Sequence, residues 1–183
     1  NEFDGEAIPG TLLISALGLV PDLRQAVDSA GMQLGDDLWL VGANEGALGG
    51  SLASDLFDLS ATRVPTPLDD PLPRYRAIHA AICDGKVTAA HDCSEGGLAV
   101  AVSEMAIAAR LGVSVVVPLD GLDPFTALVN EAPGRLVLSA APEHRDTLRD
   151  LARPQTLEQP RRHALAHARA RVCSGRGAVG RRT

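Results

Sequence analysis

Val87-Thr88-Ala89-Ala90-His91-Asp92-Cys93-Ser94-Glu95-Gly96-Gly97-Leu98 runs from a short strand-like segment through a polar turn and two glycines into a helix-forming stretch. The order strand, turn, helix start is one that can hold a phosphate or its metal. Asp92 offers a hard carboxylate to Mg²⁺ and Ser94 a hydroxyl. Gly96 and Gly97 let backbone N–H groups approach an anion where the helix dipole is positive. The same residues also have a purely structural reading, because Ser94 is a good N-cap and paired glycines can serve close packing alone.

Downstream of this junction, Leu98, Ala101 or Val102, Met105 and Ala108 recur at helical spacing, and Gly112 is expected to end that helix. Residues 113–117 are strongly β-branched and predict the next strand. A short helix over 123–131, a strand over 135–140 and a helix over 142–152 opened by Pro142 follow. Upstream, the proline-rich residues 64–73 form a connection. Leu72, Tyr75, Ile78 or His79, and Ile82 then predict a helix stopped by Gly85. Residues 37–42 read as a strand, and the apolar run 11–20, closed by Pro21, as a buried strand. Gly49-Gly50-Ser51 is either an anion cradle or a loop of close backbone approach. Alternating strands and helices predict an α/β or α+β fold; the expectation is α+β, a mixed sheet covered by helices.

At 183 residues, 45% hydrophobic and 3% aromatic, the chain has the composition of one globular domain with a mainly aliphatic core. No apolar run reaches the length of a membrane span and no basic signal start precedes residues 11–20, so a soluble cytoplasmic protein without membrane contact is expected. Cys83, Cys93 and Cys173 are too few and too widely spaced for a disulfide framework or a zinc site, which suits a reducing compartment. The chain opens at Asn1 without an initiator Met, as a fragment of something longer would. Charge is uneven: residues 1–152 carry 22 acidic and 9 basic side chains, whereas residues 153–183 carry 1 acidic and 8 basic. The basic tail lacks aromatic residues for base stacking, so nucleic acid is not an expected partner. The organisation expected is a domain over 1–152 and an Arg-rich tail over 153–183, disordered or aberrant.

Four ordered blocks carry a family resemblance: Asn1-Glu2 with Ala7-Ile8-Pro9 and the apolar 14–20; Gly35-Asp36-Asp37-Leu38-Trp39-Leu40-Val41-Gly42 with Leu48-Gly49-Gly50-Ser51; His91 to Leu98 with Glu104-Met105; and Asn130-Glu131 with Gly134-Arg135. Together they resemble the last domain of the synthetase subunit of the phosphoribosylformylglycinamidine synthase family. That domain is of the aminoimidazole ribonucleotide synthetase C-terminal type. The resemblance implies a fragment of a purine-biosynthesis ligase that converts formylglycinamide ribonucleotide to formylglycinamidine ribonucleotide. ATP and Mg²⁺ are the cofactors so implied, with glutamine as amide donor.

In that family the general acid-base histidine and the ATP-binding lysine lie in regions upstream of this segment, so no catalytic residue is carried over. The implied partners are the missing N-terminal part of the same subunit, a glutamine amidotransferase subunit and a small bridging subunit. Asp92 and Ser94 match the metal- and phosphate-holding positions of an auxiliary nucleotide site, with Gly96 and Gly97 in the same motif. After about Leu151 the resemblance ends: a further apolar strand is expected, yet the chain continues with Arg, Ala and Gly, as a shifted reading frame in GC-rich DNA would. The final strand is then expected to be missing, leaving a sheet edge bare.

Two other readings compete with the ligase fragment. One is a non-catalytic nucleotide-binding or scaffold module. The other is a cysteine hydrolase, because His91 and Cys93 would share one face if the strand ran through both. His163 and His167 have the spacing of helical metal ligands, but no carboxylate motif accompanies them.

Overall fold

The computed structural model describes residues 2–7, 13–60, 63–152 and 169–173. A small hairpin of β1 (Glu2–Phe3) and β2 (Glu6–Ala7) comes first. The main body follows as β3 (Asp37–Val41), α1 (Leu52–Leu56), α2 (Leu72–Cys83), β4 (Ala89–Asp92), α3 (Gly97–Ala109), β5 (Gly112–Val116), α4 (Pro124–Val129), β6 (Leu136–Ala140), α5 (Arg145–Ala152) and β7 (Arg169–Cys173).

The five-stranded sheet has the order β4-β6-β3-β7-β5, and each neighbouring pair is antiparallel. The α+β class expected from the sequence holds, but the expected mixed sheet does not. Each strand is followed in space by one of opposite direction, so no parallel crossover arises.

Alternation along β3 shows why the sheet is covered on both faces. Leu38 and Leu40 pack with Ala89, Val137, Leu98, Ala101 and Met105, which places α3 on that face. Trp39 and Val41 pack with Ile78, Ala81, Leu138 and Leu148, which places α2 and α5 on the other. A strand buried on both sides reads as a continuous apolar run, and Leu38-Trp39-Leu40-Val41 is one. Burying a side chain such as Leu98 or Leu138 contributes about 1.5–3 kcal/mol. Asp36, just before β3, is buried; its carboxylate accepts from Thr88 Oγ1 at 2.6 Å, Ser139 Oγ at 2.8 Å and the Gln33 amide at 3.0 Å. It ties the entry of β3 to β6 and to the residue before β4.

Several sequence expectations need correction. Residues 13–20 lie outside any strand, and Leu13, Ile14, Leu17 and Leu19 are exposed; an apolar run predicts burial but not in which sheet. The helix before Gly112 is ended by Arg110, which takes the left-handed conformation at φ 56°, and Gly112 already belongs to β5. The expected boundary at residue 152 also fails in part. Arg169–Cys173 forms β7, pairing with β5 over five residues and with β3 at Asp37↔Arg171 and Leu38↔Ala170. The place expected to be a bare edge is therefore filled. Arg169-Ala170-Arg171-Val172-Cys173 alternates charged with apolar or small residues, a period-2 pattern hidden by the Arg-rich composition around it. The rest of 153–183, with His163 and His167, lies outside the described residues. Among the described residues no helix is long and apolar enough to cross a membrane.

Candidate functional site

The site gathers where β4 ends and α3 begins. Strand β4 stops at Asp92 because β6, its partner, begins at Leu136, the residue opposite Asp92. Ser94 does not cap α3: the N-cap is Gly96, and the Ser94 hydroxyl instead donates to the Asp92 carboxylate. That bond holds the Asp92 carboxyl below its ordinary range. Partial burial opposes the shift, and the adjacent backbone and His91 assist it. The Asp92 side chain is 64% exposed. It is an ionised, accessible carboxylate with a hydroxyl beside it.

His91 points to the α3 face. Its Nδ1 lies 2.7 Å from the Asp92 carbonyl oxygen and its Nε2 3.0 Å from Glu104 Oε2. Both ring nitrogens are thus engaged with oxygen atoms of neighbouring groups. Cys93 is buried among Leu98, Ala101 and Val137, and burial pushes its thiol up to about 11. A nucleophilic cysteine requires the thiolate. The geometry thus gives the cysteine hydrolase reading no support.

Gly96 and Gly97 have φ of +78° and +64°. A Cβ on Gly97 would lie 2.6 Å from the Asn130 carbonyl oxygen and 2.7 Å from the Val129 carbonyl carbon, so the start of α3 is pressed against the end of α4. Their amides are engaged. Gly96 N–H donates to Glu131 Oε1 at 2.8 Å and Gly97 N–H to the Ser94 carbonyl at 2.9 Å. The expectation that both glycines present free amides to a phosphate is therefore not met here, because an internal carboxylate already occupies the positive end of the helix.

The linking position of that carboxylate is what sequence reasoning missed. Glu131 Oε1 also accepts from the Leu52 amide at 2.9 Å, so one side chain joins the Gly49-Gly50-Ser51 loop to the Gly96-Gly97 loop. The signal was the pair Asn130-Glu131, which no spacing rule links to residues 35 to 79 positions away. Beside it, Arg135 is buried. Its Nη1 donates to Asn130 O at 2.6 Å and Asn130 Oδ1 at 2.8 Å, its Nη2 to Asn44 Oδ1 at 2.8 Å, and its Nε has no partner among the described residues. Burial lowers its pKa from the ordinary arginine value.

A cavity of about 400 Å³ opens between these groups, lined by Tyr75, Asp92, Ser94, Glu131, Gly134 and Arg135 among others. Asp92 fits a hard divalent cation by its charge, exposure and oxygen chemistry. Among the described residues, no three His, Cys, Asp or Glu side chains are grouped to hold a metal ion. Asp92 would therefore supply one ligand of a set completed by other oxygen atoms.

Residues 33–160 match the family model described as AIR synthase related protein, C-terminal domain. The chain belongs to this family. The chain is 40% identical over 157 residues to the phosphoribosylformylglycinamidine synthase subunit PurL of Moorella thermoacetica, covering 84% of this chain and 21% of that relative. The chain thus spans about a fifth of the length of such a relative. Among solved structures it resembles Thermotoga maritima PurL complexed with ATP, with TM-score 0.59 and 20% identity over 83% of this chain and 24% of that one. It also resembles the structure of PurLQS from Thermotoga maritima, with TM-score 0.58, 22% identity and the same coverage. These structural likenesses establish the AIR synthase related fold. Two of the four sequence blocks, 91–98 and 130–135, line the cavity, and Glu131 ties them to Leu52, the residue after the 48–51 segment.

Proposed function

We propose that this chain is the C-terminal domain of a PurL-type synthetase, working inside a complete cytoplasmic phosphoribosylformylglycinamidine synthase. There, formylglycinamide ribonucleotide becomes the amidine with ATP and with ammonia released from glutamine. The observation that carries this reading is the 40% identity over 157 residues to a relative of that name. The partners it implies are the upstream part of the same subunit, a glutamine amidotransferase subunit and a small bridging subunit.

Within such an enzyme, Mg²⁺-nucleotide supplies electrophilic activation and charge neutralisation at phosphoryl oxygens. The residues of this chain would hold and orient it. Asp92, kept ionised by the Ser94 hydroxyl, offers a ligand oxygen to the metal. After rotation, the Ser94 hydroxyl donates its proton to a phosphate oxygen. Gly96, Gly97 and Glu131 set the shape of the loop that carries both. A second reading, a non-catalytic nucleotide-binding or scaffold module, is favoured by Cys93 being buried with a raised thiol pKa and by His91 being engaged at both nitrogens.

The test joins residues 1–183 to the upstream part of the Moorella thermoacetica relative. With ATP, Mg²⁺ and ammonia this protein should form amidine, and the isolated 183-residue chain should form none. Asp92→Asn in the joined protein should weaken Mg-ADP binding about tenfold or more, the loss of one charged ligand. Unchanged ADP affinity and Mg²⁺ dependence would refute the liganding role. Tight Mg-ADP binding without turnover by the joined protein would favour the scaffold reading.

A further inference from the structure

The turn that presents Asp92 and Ser94 is clasped at two points by the loop 130–135. Cys93 N–H donates to the Arg135 carbonyl oxygen at 2.9 Å, and Gly96 N–H to Glu131 Oε1 at 2.8 Å. That loop is itself closed. Arg135 Nη1 donates to the Asn130 carbonyl oxygen at 2.6 Å, and the Asn130 side-chain amide donates to the Thr126 carbonyl oxygen in α4 at 3.0 Å.

Glu131 has the central place in this clasp. The first amides of a helix have no acceptor within it, and Glu131 Oε1 serves two of them at once: Gly96, which caps α3, and Leu52, the first residue of α1, at 2.9 Å. One oxygen therefore joins two helix starts. Glu131 also lies on the wall of the same cavity as Asp92 and Ser94.

An exposed carboxylate on a turn moves as the turn moves. The Asp92 side chain is 64% exposed, and its partners among the described residues, Ser94 and His91, belong to its own segment. Its place relative to the rest of the fold is set by what holds the backbone on either side: pairing with β6 before it, and the Cys93 and Gly96 bonds after it. Of these ties, the Gly96 bond is the one made by a side chain. Groups that orient a metal ligand without touching the metal change metal affinity by roughly 10–100-fold when removed.

We infer that Glu131 is a positioning residue for Asp92: it locks the Asp92-Ser94 turn to the start of α1, and so holds the carboxylate where a divalent cation on a nucleotide phosphate meets it. This rests on the functional reading above for the identity of the ligand.

The test measures Mg-ADP affinity by titration calorimetry in residues 1–183 joined to the upstream part of the Moorella thermoacetica relative. Glu131→Gln keeps an oxygen that can accept from both amides and should bind within about twofold of the parent, whereas Glu131→Asp keeps the charge, draws the oxygen back by one methylene and should lose about tenfold. The opposite order would overturn the inference, because charge and not bond geometry would then be the active property. A double-mutant cycle separates positioning from general stability: with Asp92→Asn already present, Glu131→Asp should cost less than about twofold further, since the group it positions is gone. Full additivity of the two losses would reject positioning.

Hydrogen exchange on the 183-residue chain reads the turn without any ligand. In Glu131→Asp the amides of residues 93–97 should exchange at least about tenfold faster than in the parent, while those of β3 and β6 keep their protection. Unchanged exchange at 93–97 would sink the inference, and so would loss of protection throughout the sheet, which would mark Glu131 as a support of the whole fold. Should the joined protein fail to fold, the exchange result decides alone. A folded joined protein that binds no Mg-ADP would refute the functional reading, and the exchange result would again decide whether Glu131 holds the turn.

Discussion

The Ser94 hydroxyl governs the charge of its neighbour, because its hydrogen bond to Asp92 outweighs the partial burial that acts against it. Replacing Ser94 with Ala should raise the Asp92 titration midpoint toward the ordinary value of about 3.9, read by NMR of the side-chain carboxyl carbon. The folded pKa lies below the unfolded one, so the bond's contribution to stability is present above the ordinary carboxylate range and lost as pH falls through the folded value. Melting temperatures of parent and variant should therefore differ near neutrality and converge in acid. An unmoved midpoint would show that the hydroxyl does not hold the charge.

Cys83 and Cys93 differ as sharply. Cys83 is exposed, 3.6 Å from His79 Nε2, whereas Cys93 is buried with its thiol pushed up to about 11. Iodoacetamide at pH 8 should label Cys83 in the native protein and spare Cys93 until denaturant is added, as peptide mass mapping would reveal. Native labelling of Cys93 would mean that the start of α3 opens readily. That contrast is not visible in the string of letters, because it depends on Cys83 ending α2 at the surface while Cys93 is covered by α3.

For α3 as an element, the decisive point is its first residue. Gly97 combines a left-handed backbone with a Cβ position already taken by the Asn130 and Leu128 carbonyl oxygens. Gly97→Ala should cost about 1–3 kcal/mol from the backbone conformation alone, and more from the clash, because backbone atoms of α4 cannot step aside as a side chain could. Gly96→Ala meets only the Val100 side chain and should be the milder change. Urea unfolding of both variants would rank them. Equal stability of Gly97→Ala and parent would show that α4 shifts freely, loosening the link from Glu131 to the loop.

The elements were legible to different degrees. β3, β4, α2, α3 and β6 appear within a residue or two of their expected places, because hydrophobic period and terminators such as Gly85 are local signals. Residues 13–20 and β7 were misread for one shared reason. Whether an apolar or alternating run joins a given sheet depends on an available partner edge, which a local pattern does not contain.

For the whole molecule, β7 joins β5 to the rest of the sheet. A chain ending at Ala152 would leave β5 without its sheet partner and bare one side of β3. Its melting temperature should fall by about 10 °C or more, the scale of losing a few kcal/mol in a domain of this size. Differential scanning calorimetry on the full and shortened chains would decide. An unchanged transition would mean that the sheet closes up without that strand.

The linear order of residues by itself determined the α+β class, the strand-turn-helix junction at residues 87–98 and the family resemblance, since each rests on local periodicity or on motifs read in sequence. Asp92 and Ser94 were legible as a candidate site for the same reason. Only the tertiary structure decided that Glu131 fills the positive end of α3, that Arg135 is buried against Asn44 and Asn130, and that the sheet is antiparallel throughout. Those features join residues as far apart as Asp37 and Arg171. Side chains so separated meet only when strand pairing and helix packing bring them together, and the free energy of that packing belongs to the folded chain and to no segment of it.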